Sequence, residues 1–211
     1  GRDVPEAVLG ADYDGRMIHD GWSPYDFFEQ ATHQQCLEHL LRRARALLER
    51  ATRGAVRFPR NVKAFLSDAL ALRDRRHGGT ISPHGLAVVR GRLEKRLHRL
   101  LEWNLSHNGN RKFQNHLARH SHEILTFLYE PDIEATNWPA EQAIRPLVVN
   151  RKVFGGNRTP AGGHAQEVLG SVFATLTKRT VDTLSFVSRV IRSPAAQRPA
   201  FIRQLLPVPP T

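Results

Sequence analysis

Cysteine occurs once in 211 residues, at Cys36, and that scarcity excludes an internal disulfide framework and a zinc site built from cysteine alone. A reducing, cytosolic setting is the expectation. Long apolar runs are missing too. None approaches the roughly 18 residues of a spanning helix, and the opening GRDVPEAVLG lacks the basic-then-apolar order of a secretory signal. No membrane partner is therefore expected. Acidic residues are the other shortage: 20 Asp and Glu face 31 Lys and Arg, a formal net charge of +11. At 40% apolar content the chain can bury a real core, which excludes a disordered basic tail. The length suits one domain, or one domain with an inserted lobe. Because it begins at Gly1 rather than Met, the chain is expected to be part of something longer.

The excess charge is unevenly spread. Residues 1–41 carry a net −6, residues 42–119 a net +14, residues 120–144 a net −5 and residues 145–211 a net +8. A positive field of this size favours a polyanion, and nucleic acid is the usual one because each phosphate contact releases condensed counterions. The plainer reading is that Arg-rich helices are merely solvated faces. Acidic islands inside such a field call for a separate reason, and a divalent cation facing phosphates supplies one.

Asp14-Gly15 is a turn dipeptide, and RMIHD reads as a short strand ending at Asp20, followed by the loop GWSPYD. From about Ala31 to Ala51, Leu37, Leu40, Leu41, Ala44, Leu47 and Leu48 recur at helical spacing, with Arg42, Arg43, Arg45 and Arg50 on the other face. A second helix follows Pro59 and ends near His77-Gly78-Gly79. Ser82-Pro83 has the character of an N-cap and first helical position, and opens a third. A fourth is expected from about Lys112 to Tyr129, so residues 50–129 read as an all-helical basic lobe. Beyond Glu130-Pro131-Asp132, Asn137 can cap a new helix that Pro146 should kink or end. The Gly-rich loop 155–163 leads into a further helix, Asp182 caps another, and Ser193-Pro194 stops it.

Asp20, at a strand end, and Glu141, near a helix start, each lie in an acidic island and could converge on Mg2+. A helix-start Glu can equally be a partner of the helix dipole. Glu141 and Arg145 are four apart and share a face, as a surface ion pair or as a phosphate contact beside the carboxylate. His116 and His120 have the spacing of a metal-binding pair but lack a third ligand, and read as solvated histidines. Cys36 and His39 could touch, yet two ligands do not close a zinc site. The glycines of the loop could let backbone amides and Arg158 approach a phosphate, although the loop is not a nucleotide P-loop.

The run TNWPAEQAIRPLVVNRKVFGGNRTPAGGHAQEVLGSVFATL, residues 136–176, resembles the signature of the insertion-sequence-66 family of bacterial transposases. MIHDGWSPYDFF, with the helix around Cys36-Leu37-Glu38-His39, resembles the same family's strand bearing its second Asp. The resemblance implies an α/β, helix-rich fold: an RNase H-like core, partial in this chain, with an all-helical basic insertion. It also implies metal-dependent cleavage and strand transfer of double-stranded DNA at element ends and target, with Mg2+ or Mn2+ held by two Asp and one Glu, and a homo-oligomer at full length. Asp20 matches the second Asp and Glu141 the Glu. Asn137, Arg145 and Lys152, with Cys36 and His39, are motif neighbours, and Arg42, Arg43, Arg96, Arg99, Arg151 and Arg158 join Arg145 and Lys152 as the expected DNA contacts.

This assigns residues 1–49 to a core strand and helix, 50–129 to the insertion, 130–192 to core helices with the Glu, and 193–211 to a tail with a short helix. Trp138 and Gln142 depart from the family's usual Asn and Arg. No match to the family's first Asp precedes Asp20, so the chain is expected to be a C-terminal portion that is inactive alone. The alternative is a non-catalytic basic nucleic-acid-binding remnant. A stand-alone nuclease of the same fold would need the missing Asp from elsewhere.

Overall fold

The computed structural model describes residues 1–203 and falls into two compact units, Gly1–Trp138 and Pro139–Thr211. In the first unit, helix α1 (Asp3–Leu9) precedes strands β1 (Arg16–His19) and β2 (Thr32–Gln35), which pair in parallel with Arg16 opposite Thr32 and His19 opposite Gln35. The Thr32 amide donates to the Gly15 carbonyl at 2.9 Å and the Cys36 amide to the His19 carbonyl at 2.7 Å, extending the ladder at both ends. A 3-10 turn, Ser23–Phe27, lies in the crossover, and Phe28 closes it by packing with Met17 and Ala31.

One sequence expectation changes here. The helix assigned from Ala31 starts instead at Leu37 (α2, Leu37–Arg50), and the residues before it form β2. Thr-His-Gln-Gln carries no apolar signal of either period, so only pairing with β1 makes it a strand. RMIHD pairs with a strand that follows it in the chain.

Helices α3 (Arg57–His77), α4 (Pro83–Leu101) and α5 (Asn108–Arg119) pack with α2 around Leu40, Phe58, Phe65, Leu66, Leu97 and Phe113. Each such side chain contributes about 1.5–3 kcal/mol relative to leaving it exposed. The Ser82 hydroxyl accepts from the Gly85 amide at 3.1 Å, the cap its position before Pro83 implies. The helix expected to reach Tyr129 stops at Arg119, and short 3-10 turns at Ser121–Glu123 and Thr126–Leu128 replace its second half. The cause is β2: Gln34 Nε2 donates to the Ile124 carbonyl at 3.0 Å, its Oε1 accepts from the Phe127 amide at 2.8 Å, and the Thr126 hydroxyl donates to the His33 carbonyl at 2.7 Å. The two Gln34 bonds take a carbonyl and an amide that a continuous helix would have used for itself, and the Thr126 hydroxyl fastens the turn to β2.

Helix α6 (Trp138–Phe154) opens at the unit boundary and leads to α7 (Pro160–Lys178), α8 (Thr183–Arg192) and α9 (Arg198–Arg203). Pro146 neither ends nor precedes a helix but sits inside α6, leaving the Gln142 carbonyl without its usual amide partner. Gly170 of α7 lies so close to Leu147 that an added Cβ would be 2.9 Å from the Leu147 Cδ2. Leu176 and Phe186 form the buried centre of this unit, with Val172, Val187, Val190 and Phe201 around them. Thr159 caps α7 through the Gly162 amide, and Asp182 caps α8 through the Leu184 and Ser185 amides. The expected C-terminal tail is seen as far as α9, and its remainder lies outside the described residues. Among those described, no helix is long and apolar enough to cross a membrane.

Candidate active site

Along β1 burial alternates, with Met17 and His19 inward and Asp20 exposed immediately after the strand. The Trp22 amide donates to Asp20 Oδ1 at 3.0 Å, and among the described residues Oδ2 has no hydrogen-bond partner. Gly21 makes this exit possible for two reasons. Its φ is +84°, and a Cβ there would come within 2.7 Å of both the Gln35 Oε1 and the His116 Cε1.

Under Asp20 lies a bed of buried polar side chains. His33 Nε2 is 2.8 Å from the Phe28 carbonyl, which can only accept, so that nitrogen carries hydrogen. At the other end the Gly21 amide donates to His19 Nδ1 at 3.2 Å, which leaves His19 its hydrogen on Nε2. His19 Nε2 therefore donates to His33 Nδ1 across 3.0 Å. Two backbone groups thus fix both tautomers. Glu123, itself buried, accepts at Oε2 from Gln35 Nε2 at 2.7 Å and from His120 Nδ1 at 3.1 Å.

Burial, ahead of the neighbouring charges, holds the His19 imidazole below the ordinary histidine range. It also brings His116 down to about 4, helped by Arg43 and His120 and opposed by Glu123 and Asp26. His116 and His120 are thus not the solvated pair their spacing suggests: His120 is buried, His116 half-buried, and their ring centroids are 4.8 Å apart. Spacing along one helix could not reveal the neighbours, which are Glu123 of the following turn for His120 and Arg43 of α2 and Asp26 for His116. His19, His33 and Glu123 also went unnoticed in the sequence. The one signal was His19, two positions from the inward-facing Met17 on a strand.

Cys36 caps the start of α2, and its Sγ accepts from the Asn137 amide at 3.4 Å. The Leu37 amide meanwhile donates to the Ala135 carbonyl at 2.9 Å. The segment leading into the Asn137 motif is therefore fastened to the strand-to-helix turn that carries Cys36. Asn137 was expected to cap α6 through its side chain, but its Oδ1 is buried with no hydrogen-bond partner among the described residues. His39 is partly buried on the first turn of α2.

The basic residues divide by environment. Arg42 and Arg99 are exposed, with Arg99 Nε also reaching the Lys95 carbonyl at 3.3 Å. Arg43 turns inward, donating to the Lys112 carbonyl at 3.2 Å with its guanidinium carbon 4.8 Å from the centre of the Phe113 ring. Arg96 ties α4 to α3 through Asp68 at 2.5 Å and the Asn61 carbonyl at 3.4 Å. In the second unit Glu141 is partly buried in the first turn of α6, while Arg145, Arg151, Lys152 and Arg158 are exposed.

A family model described as "Transposase IS66 family" matches residues 1–165 of the 211. No curated protein and no solved structure matches significantly. The matched segment contains β1 with Asp20, the whole helical lobe, and α6 with Glu141 and its motif neighbours. The chain belongs to the IS66 family of transposases.

Proposed function

We propose that the chain carries out the metal-dependent phosphodiester chemistry of insertion-sequence transposition, with Asp20 and Glu141 as two carboxylates of an RNase H-like core to which β1 and β2 belong. The observation that carries this reading is the placement of Asp20: exposed at the C-terminal end of a paired strand, with one carboxylate oxygen held by the Trp22 amide. Two carboxylates are hard oxygen donors of the kind that suits Mg2+ or Mn2+, so the residues fit such an ion. When bound, Mg2+ would lower the pKa of an attacking water or 3′ hydroxyl and offset charge on the leaving oxygen. The Trp22 amide sets the Asp20 rotamer in advance, and Arg145, one helical turn beyond Glu141, supplies a guanidinium for a phosphate of the scissile strand. Arg151, Lys152, Arg158, Arg42 and Arg99, all exposed, neutralise flanking phosphates of the DNA duplex.

The test is to load the full chain with Fe2+ in place of Mg2+ and add ascorbate and peroxide, so that hydroxyl radical cuts the backbone beside the bound ion. Cuts near both residue 20 and residue 141 are expected, and the cut near residue 141 should vanish in Asp20→Asn and under excess Mg2+. Cutting near only one of them overturns the shared site.

A further inference from the structure

We propose that His19, His33 and Glu123 form a second metal site, selective for a borderline transition-metal dication of the zinc type and separate from the hard-oxygen site of Asp20 and Glu141. The three residues come from β1, β2 and the 3-10 turn after α5, and one ligand atom from each lies within 4.8 Å of the others. In a tetrahedral zinc site, metal–nitrogen bonds of about 2.0–2.1 Å put ligand atoms roughly 3.3 Å apart. His19 Nε2 is 3.0 Å from His33 Nδ1 and 3.7 Å from Glu123 Oε2, so two edges of that tetrahedron are nearly formed. The third edge lies within the 4.8 Å that spans the cluster. Two imidazoles and one carboxylate favour zinc over magnesium.

The surroundings match what such a site needs. His33 donates its other nitrogen to the Phe28 carbonyl, which aims the bare Nδ1 lone pair at the cluster. Gln35 and His120 both donate to the Glu123 carboxylate and so orient it. A cavity of about 520 Å³, lined in part by Asp26, His33, His120 and Glu123, gives an ion a way in and space for a water as fourth ligand.

Ion binding has one internal consequence. The Nε2 hydrogen of His19 occupies the position the metal takes, so it must move to Nδ1, with no net change in the protons on that ring. Nδ1 then no longer accepts from the Gly21 amide. Occupancy of the histidine site is thereby felt at the residue next to Asp20, through the Gly21 backbone.

The experiment strips the full chain with a chelator and titrates it with Co2+ and then Zn2+, reading the metal and not DNA cleavage. One equivalent of Co2+ should bind with the visible ligand-field bands of a four-coordinate ion, and Zn2+ should displace it. His33→Gln and Glu123→Gln should each weaken binding at least about tenfold, the loss typical even of supporting residues around a metal. Asp20→Asn should bind as the wild type does. In the unaltered protein Zn2+ should shift the NMR signals of the His19 and His33 rings and the Gly21 amide, leaving the exposed His98 and His164 in place. Three results would each overturn the site: no stoichiometric binding, unmoved His19 and His33 signals, or loss of the bound ion in Asp20→Asn. The last would put the ion at the carboxylates while leaving the transposase reading intact.

Discussion

The backbone amide of Asn137 donates to the Sγ of Cys36 at 3.4 Å, joining two residues 101 positions apart in the chain. Cys36 begins α2 directly after β2, and its own amide donates to the His19 carbonyl, the last residue of the strand that ends at Asp20. Asn137 stands four residues before Glu141. The helices between them leave and return at one place in the first unit.

Gly21 has no room for a side chain. Gly21→Ala should cost about 1–3 kcal/mol, since the new Cβ meets Gln35 and His116 and the backbone stays at positive φ. Urea denaturation measures the loss. A neutral result would mean that the loop after Asp20 has room to rearrange.

Gln34 is wholly buried and holds the Ile124 carbonyl and the Phe127 amide in place of a helix. Gln34→Leu keeps the volume and removes both partners, each left unpaired at about 1–3 kcal/mol. The expected loss is about 3 kcal/mol by denaturant melting, with faster amide exchange at residues 124–128.

Arg42 and Arg43 are adjacent in sequence but should behave differently. Arg42→Ala should leave stability unchanged and reduce the salt slope of DNA affinity by about one unit, the effect of losing one phosphate contact. Arg43→Ala should instead destabilise the fold by about 1–2 kcal/mol, through the lost bond to the Lys112 carbonyl and the bared Phe113 ring. Fluorescence anisotropy over a salt series, beside urea melts, separates the two. Equal salt slopes would reject the division.

His116 makes stability depend on pH. Its folded pKa, about 4, lies below the usual histidine value, so the unfolded chain takes up a proton first as the pH falls. The stabilisation is fully present above about pH 6.5 and is lost progressively down to about pH 4. Urea midpoints at pH 7 and pH 5 should differ for the wild type and differ less in His116→Gln, where the lowered pKa of His19 carries the remainder. Arg43, His120, Glu123 and Asp26 are the charged or titratable groups facing the ring, and they must be intact for the comparison.

The amino-acid sequence by itself determined those features that depend on near neighbours along the chain. Ser82 before Pro83 and Asp182 before Thr183 cap helices because the bond each makes spans only two or three residues. The strand ending at Asp20 was legible from the Asp-Gly turn before it and the alternation within it, and the family from the order of motifs between residues 136 and 176. Tertiary structure decided what depends on distant partners. Thr32–Gln35 is a strand because β1 lies beside it, and short turns replace a longer α5 where Gln34 takes the Ile124 carbonyl and the Phe127 amide. Arg43 and Arg96 look like Arg42 and Arg99 in sequence, and only their packing against Phe113 and Asp68 separates them. The histidine and carboxylate bed under Asp20 was illegible for the same reason. His19, His33 and Glu123 are scattered along the chain, and they come together only where two paired strands meet a buried turn.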